Sequence, residues 1–260
     1  MVKSRSTNEA DDTRPFFNEQ VKFPSLESLT LSDLKNLQII WHNRLSPDSF
    51  CKLKELDVRC CDNLMTIFTK DTLGSFLKSI EKLAILNCAS VEELFKVGEI
   101  INLKESVQTQ LRNLSIDDLP SLKHVWDKDP EGILTFHSLE AVIVSRCWSI
   151  KNVFPASVAR SLKQLQKLKL DNCGVDEIVA MGREETDGVV KFVFPQLSDL
   201  KLMRLRRLRY FYPGKHTTLW PKLKKLDVFY CNRADEMEIR YGEGGPDFPI
   251  GQPFLYMEEV

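Results

Sequence analysis

The sequence is short of the residues that usually carry chemistry. Its four histidines, His42, His124, His137 and His216, are scattered. No Cys-x-x-Cys pair occurs among the seven cysteines, whose only close couple is the vicinal Cys60–Cys61, so the ligand spacing of a zinc site is missing. There is no Gly-x-x-x-x-Gly-Lys-Ser/Thr loop. The GEGG run at Gly242–Gly245 lies in a tail without a strand–loop–helix setting. Neither a Gly-x-Ser-x-Gly elbow nor a His-Glu-x-x-His pair is present. Acidic pairs such as Asp117–Asp118 sit at a strand exit, where a solvated face explains them better than acid–base catalysis. No metal, cofactor or enzymatic activity is expected.

Long apolar runs are missing too. Nothing approaches the roughly 18 uninterrupted apolar residues of a membrane helix, and MVKSRSTNEADDTRPFF is too polar to be a signal peptide. Charge of one sign is also lacking: 36 basic and 37 acidic residues leave a net charge of −1, which gives no global attraction to nucleic acid or acidic membranes. An odd cysteine count argues against a closed disulfide framework and for a reducing, cytoplasmic location. What the chain does have is apolar material, 43% of its residues at a mean hydropathy of −0.24.

That material is arranged as a repeat. The phrase L-x-x-L-x-L-x-x-(L/C) appears eight times, opening at Leu26, Leu53, Ile80, Leu111, Leu139, Leu165, Leu197 and Leu223. The openings lie 27, 27, 31, 28, 26, 32 and 26 residues apart, near the roughly 20–29 residues of leucine-rich repeats. Within each phrase the L-x-L core has period two, so its two apolar side chains face one side of a short strand and their neighbours face the other. One repeat cannot bury its own leucines; stacking builds a continuous core. The sequence therefore predicts an α/β solenoid, a leucine-rich-repeat horseshoe of about eight repeats. Its parallel sheet should line the concave face, with mostly irregular or short helical convex segments. The expected limits are a polar tail over 1–20, repeats over 21–240, and a tail or inter-repeat linker over 241–260.

A longer period is superimposed. The ninth position reads Leu34, Cys61, Cys88, then Leu119, Cys147, Cys173, then Leu205, Cys231. The leucine-type repeats continue with related tails, LKNLQIIW, LPSLKHVW and LRRLRYFY, and the two long spacings close each triplet. A duplicated three-repeat block explains this. The longer repeats carry the polar stretches VGEIINLKES and MGREETDGVVK, which should form mobile surface loops. Aromatics three residues ahead of the phrase (Phe23, Phe50, Phe136, Phe194, Trp220) and in the tails (Trp41, Phe68, Phe95, Trp126, Phe154) suggest a second, aromatic core layer. The ninth-position cysteines are read as small apolar fillers with a weak hydrogen bond. The sequon Asn113-Leu114-Ser115 falls inside a predicted strand and is read as a chance match.

Outward positions on and after the strands should form the binding surface. Over the first four repeats they hold five acids and two bases, and over the last four, six bases and three acids. The surface residues expected to meet a partner are Glu55, Asp57, Asp117, Asp118, Arg146, Lys167, Lys169, Lys201, Arg204, Lys225, Phe229 and Tyr230. The run KLMRLRRLRY, with Arg206, Arg207 and Arg209, is read mainly as a solvated face. Without overall positive charge, nucleic acid is not an expected partner.

Segments such as FPSLESLTL, LKELDVRCCDNL, VFPQL (Val193–Leu197) and YPGKHT (Tyr212–Thr217) resemble the repeat region of plant coiled-coil nucleotide-binding leucine-rich-repeat disease-resistance proteins. The resemblance covers Phe16 to Val260. It implies a protein-recognition module that senses a pathogen effector or a guarded host protein, and that contacts a nucleotide-binding module when part of a longer receptor. It transfers no site residues, since the coiled-coil and nucleotide-binding motifs are not in this sequence. The expectation is a fragment or truncated form of such a receptor, of undetermined oligomeric state. The alternative is a generic intracellular scaffold, for instance a substrate-recognition arm of a ubiquitin ligase.

Overall fold

The computed structural model describes residues 14–42, 45–46, 48–68, 70–97, 106–182 and 189–231. The expected C-terminal tail, most of the N-terminal tail and much of both polar insertions lie outside these residues. Each of the eight phrases forms a five-residue strand: β1 (Ser28–Ser32), β2 (Glu55–Arg59), β3 (Lys82–Leu86), β4 (Asn113–Asp117), β5 (Ala141–Ser145), β6 (Lys167–Asp171), β7 (Asp199–Met203) and β8 (Lys225–Phe229). They form one parallel sheet in chain order, the leucine-rich-repeat solenoid expected.

Register follows the sequence phrase without a slip. Leu29 pairs with Leu56, Leu56 with Leu83, Leu83 with Leu114, and so on to Leu200 with Leu226. A slip of one residue would turn every inward leucine to solvent, so the apolar period and the register enforce each other. From β2 to β7 both inward residues of each strand are 3% exposed or less. Burial of each such side chain contributes about 1.5–3 kcal/mol. At β8 the same positions are open, Leu226 at 40% and Val228 at 37%, because β8 has a neighbouring strand on one side only among the described residues.

The chain leaves every strand in the same way. The residue after it adopts a left-handed conformation: Asp33, Cys60, Asn87, Asp118, Arg146, Asn172, Arg204 and Tyr230 have φ between 52° and 60°. From Asp33 to Arg204, the N–H of that residue donates to the last carbonyl of the next strand at 2.7–3.0 Å. The ninth position then turns inward. Where it is cysteine, Sγ donates to the carbonyl two residues back, at 3.2 Å for Cys61 and 3.3 Å for Cys88, Cys147 and Cys173. Cys231 is looser, at 3.7 Å. Burial pushes the Cys88 thiol up to about 11, so it stays a protonated, unreactive filler, as its repeat position implied.

The return segments carry α1 (Lys70–Leu77) and α2 (Ala156–Ser161). They also carry short parallel strand pairs, Glu93–Phe95 with His124–Trp126 and Val190–Val193 with His216–Leu219 among them. Beneath them lies the aromatic layer. It runs unbroken through Phe17, Trp41, Phe76, Phe68, Phe95, Trp126 and Phe154, with ring centroids 4.4–6.3 Å apart. A second cluster gathers Phe192, Phe194, Phe211, Tyr212 and Trp220 around His216. Phe17 lies in the stretch expected to be tail, yet it bridges to Trp41 and stacks on it at 5.5 Å. Phe23, at 44% exposure, rests on the rim of the layer.

The sixth repeat breaks both patterns. It carries Val179 where its neighbours carry an aromatic, and its exit runs Cys173-Gly174-Val175, one residue shorter than Cys147-Trp148-Ser149-Ile150. The shorter exit draws the backbone inward. A Cβ on Gly174 would lie 1.9 Å from the Trp148 carbonyl oxygen, so glycine is required there by close approach alone.

Candidate interaction surface

With the leucines turned in, the open face of the sheet is a grid. Its three strand columns and the left-handed column beside them place the twelve expected residues on one continuous surface, Glu55 and Asp57 at one side and Lys225, Phe229 and Tyr230 at the other. Phe229 and Tyr230 are 51% and 81% exposed.

Many of these charges already have partners within the sheet. Arg146 reaches back one repeat to Asp117 at 2.5 Å and lies 3.9 Å from Asp118. Arg204 repeats the geometry on Asp171 at 2.6 Å. The left-handed exit aims both arginines along the rim, so the acid before the turn in one repeat meets the base after the turn in the next. Arg59 pairs with Asp57, and Lys82 with Glu55, at 2.5 Å each; the Glu55 hydrogen bond holds the Lys82 ammonium above its usual range. Lys201 lies between Asp199 at 3.9 Å and Asp227 at 3.7 Å, and Lys225 is 3.4 Å from Asp227. The more exposed of these pairs add little stability; they order side chains on the face, while Asp171 is itself buried at 8% exposure. The expected acidic-to-basic gradient is thereby muted, more so in the first repeats than on β6.

Lys167 makes no ion pair among the described residues, and Lys169 stands 3.8 Å from Asp171, the carboxylate that Arg204 holds more closely. Lys169 is also in register with Lys201, a like-charge neighbour that disfavours the pairing. Beside them lie uncharged outward residues outside the twelve expected from the sequence. Ala84, Ser115 and Ile143 occupy the middle column of three successive strands, with Ala141 next to Lys167 and Ile143 next to Lys169. Their signal in the sequence was the lack of charge at consecutive outward positions. Trp148, 50% exposed beyond the β5 exit, was also missed, since its position bears no repeat-wide pattern.

Away from the sheet, a cleft of about 590 Å³ is lined by His124, Asp127, Lys128, Asp129, Glu131 and Arg160, among others. Its carboxylates serve structural bonds: Asp127 accepts from the Val97 N–H at 2.6 Å, Asp129 from Ser157, and Glu131 faces Arg160 at 3.5 Å. Among the described residues no His, Cys, Asp and Glu side chains gather as a metal site, and no helix is long and apolar enough to cross a membrane.

A stack of repeats with a polar, varied face over an invariantly apolar interior defines a leucine-rich-repeat module of the protein-interaction class. The chain belongs to the leucine-rich repeats of RPS2-like plant disease resistance proteins, whose family model matches residues 25–174. It is similar to a probable disease resistance protein of Arabidopsis thaliana, at 29% identity over 134 residues, covering 50% of this chain and 14% of that relative. No solved structure matches it.

Proposed function

We propose that this plant-defence repeat module recognises a protein, a pathogen effector or a guarded host protein, through the open face of its sheet. The observation that carries the reading is the division of labour within each strand. Inward columns are uniformly apolar, whereas outward columns change chemistry from repeat to repeat over eight aligned strands. Stability needs only the first; the second is the variation a specific surface requires. The role is binding and not catalysis, in the reducing cytoplasm, where the free thiols of all seven cysteines fit. In a longer receptor, a nucleotide-binding module would be a second partner of the repeats.

The test is to screen the purified chain against secreted pathogen proteins and host proteins. Every binder is then repeated on Lys167→Glu/Lys169→Glu and on Lys128→Glu, which lies off the sheet. The expected binder weakens at least tenfold on the first variant and is unchanged on the second. A binder equally affected by both, or nucleotide turnover by the chain itself, would overturn the reading.

A further inference from the structure

We infer that the centre of the sheet is a composite subsite for a protein segment presenting a carboxylate next to an aliphatic side chain. The inference rests on the sheet-face reading and assigns the chemistry of its partner. The floor is Ala84, Ser115 and Ile143, three successive middle-column residues whose side chains are small or apolar and only partly exposed. No charge stands in that column between Asp57 and Lys169. On one side the acids are engaged, Glu55 by Lys82 and Asp57 by Arg59. On the other, Lys167 has no ion pair among the described residues, with Asp199 its register neighbour on β7. Lys169 faces Lys201 across the same register, 3.8 Å from an Asp171 that Arg204 holds at 2.6 Å.

This asymmetry selects the ligand. Lys169, with an ammonium as its β7 register partner and a nearby carboxylate already held by Arg204, gains from an incoming anion. So does Lys167, which makes no ion pair among the described residues, while the paired acids opposite have little left to offer a cation. The apolar floor immediately beside those lysines seats a methyl-bearing side chain and removes water from the new ion pair, which strengthens it. An aliphatic residue one or two positions from an Asp or Glu spans the step from Ile143 to Lys169 on the next strand, since adjacent strands lie about 4.8 Å apart. A polyphosphate backbone would use the lysines and leave the floor unfilled.

The probes are N-acetylated, C-amidated Asp-Leu-Asp-Leu, Asn-Leu-Asn-Leu and Lys-Leu-Lys-Leu peptides, titrated onto the isotope-labelled chain by NMR. The acidic peptide is expected to shift the Ile143 methyl and Ser115 amide signals saturably. The Asn peptide should bind at least fivefold more weakly, and Lys167→Ala/Lys169→Ala should abolish the acidic preference while the chain keeps its native spectrum. Equal shifts with the lysine peptide, or no shift at Ile143, would overturn the subsite. If the lysine peptide instead perturbed Glu55 and Asp57, the sheet face would stand as a binding surface and only this assignment would fall. A single-stranded oligonucleotide that moves the Lys167 and Lys169 signals more strongly than the acidic peptide, without moving Ile143, would also overturn it.

Discussion

Two side chains, one absent and one buried, show how narrowly single residues constrain this fold. Gly174 is fixed by the Trp148 carbonyl, which a Cβ would meet at 1.9 Å. Gly174→Ala should force the short exit of the sixth repeat outward at a cost of about 2 kcal/mol, lowering the thermal midpoint by about 4–8 °C. An unchanged melt would contradict the close approach. His216 is 9% exposed among Phe192, Phe211 and Tyr212. Its Nδ1–H donates to the Gly214 carbonyl at 2.9 Å, and its Nε2 is buried without a partner. Burial therefore holds its pKa below the usual 6.5. The unfolded chain takes up this proton first, so stability is full above about pH 6.5 and is lost as pH falls toward the depressed folded-state value. Urea titrations at pH 7.5 and 5.5 should show that loss in the wild-type chain and a smaller one in His216→Phe. Equal losses in both would assign the effect elsewhere. Neither residue was legible as special in the sequence: a one-residue shortening and a lone histidine acquire meaning only from what packs on them.

At the scale of the element, the strands were legible and their returns were not. The alternation in L-x-L fixes which side chains turn inward, and eight copies fix how strands neighbour one another, so sheet, order and register followed from spacing alone. The short parallel pairs behind the sheet have no such signature. Glu93–Phe95 is strand because His124–Trp126 lies beside it in the next turn, and such pairing depends on return lengths, not on local pattern. The left-handed exits were similarly hidden. Asn and Asp tolerate that conformation, but Arg146, Arg204 and Tyr230 adopt it against their own preference, and the two arginines are held there by the hydrogen-bond ladder of the sheet. A disruptive change inside one strand should spread to its neighbours and fade beyond them. Leu114→Asp, which places a carboxylate in the fully enclosed β4 column, should cost more than about 4 kcal/mol. Hydrogen exchange should accelerate in β3, β4 and β5 before β1 or β7. Uniform acceleration across all strands would mean the repeats fold as one indivisible unit.

Over the whole molecule, the buried leucine columns and the proposed recognition surface occupy opposite sides of the same sheet. The candidate surface was only partly legible. Its residues could be read off as outward positions, but their mutual neutralisation could not, because partners such as Asp117–Arg146 and Asp171–Arg204 are 29 and 33 residues apart. Recognition centred on Lys167 and Lys169 should weaken as salt rises, mainly through slower association; a salt-independent partner would belong to another face. All of this depends on the aligned stacking of repeats, which the cysteines report. Cys61, Cys88, Cys147, Cys173 and Cys231 mark the ninth position of five repeats and are buried, while Cys51 is exposed and Cys60 intermediate. Alkylation of the native chain followed by mass spectrometry tests the stacking most directly. Labelling of Cys51 and then Cys60 is expected, with the other five protected until denaturant is added. Modification of Cys88 or Cys147 at the rate of Cys51 would contradict that stacking.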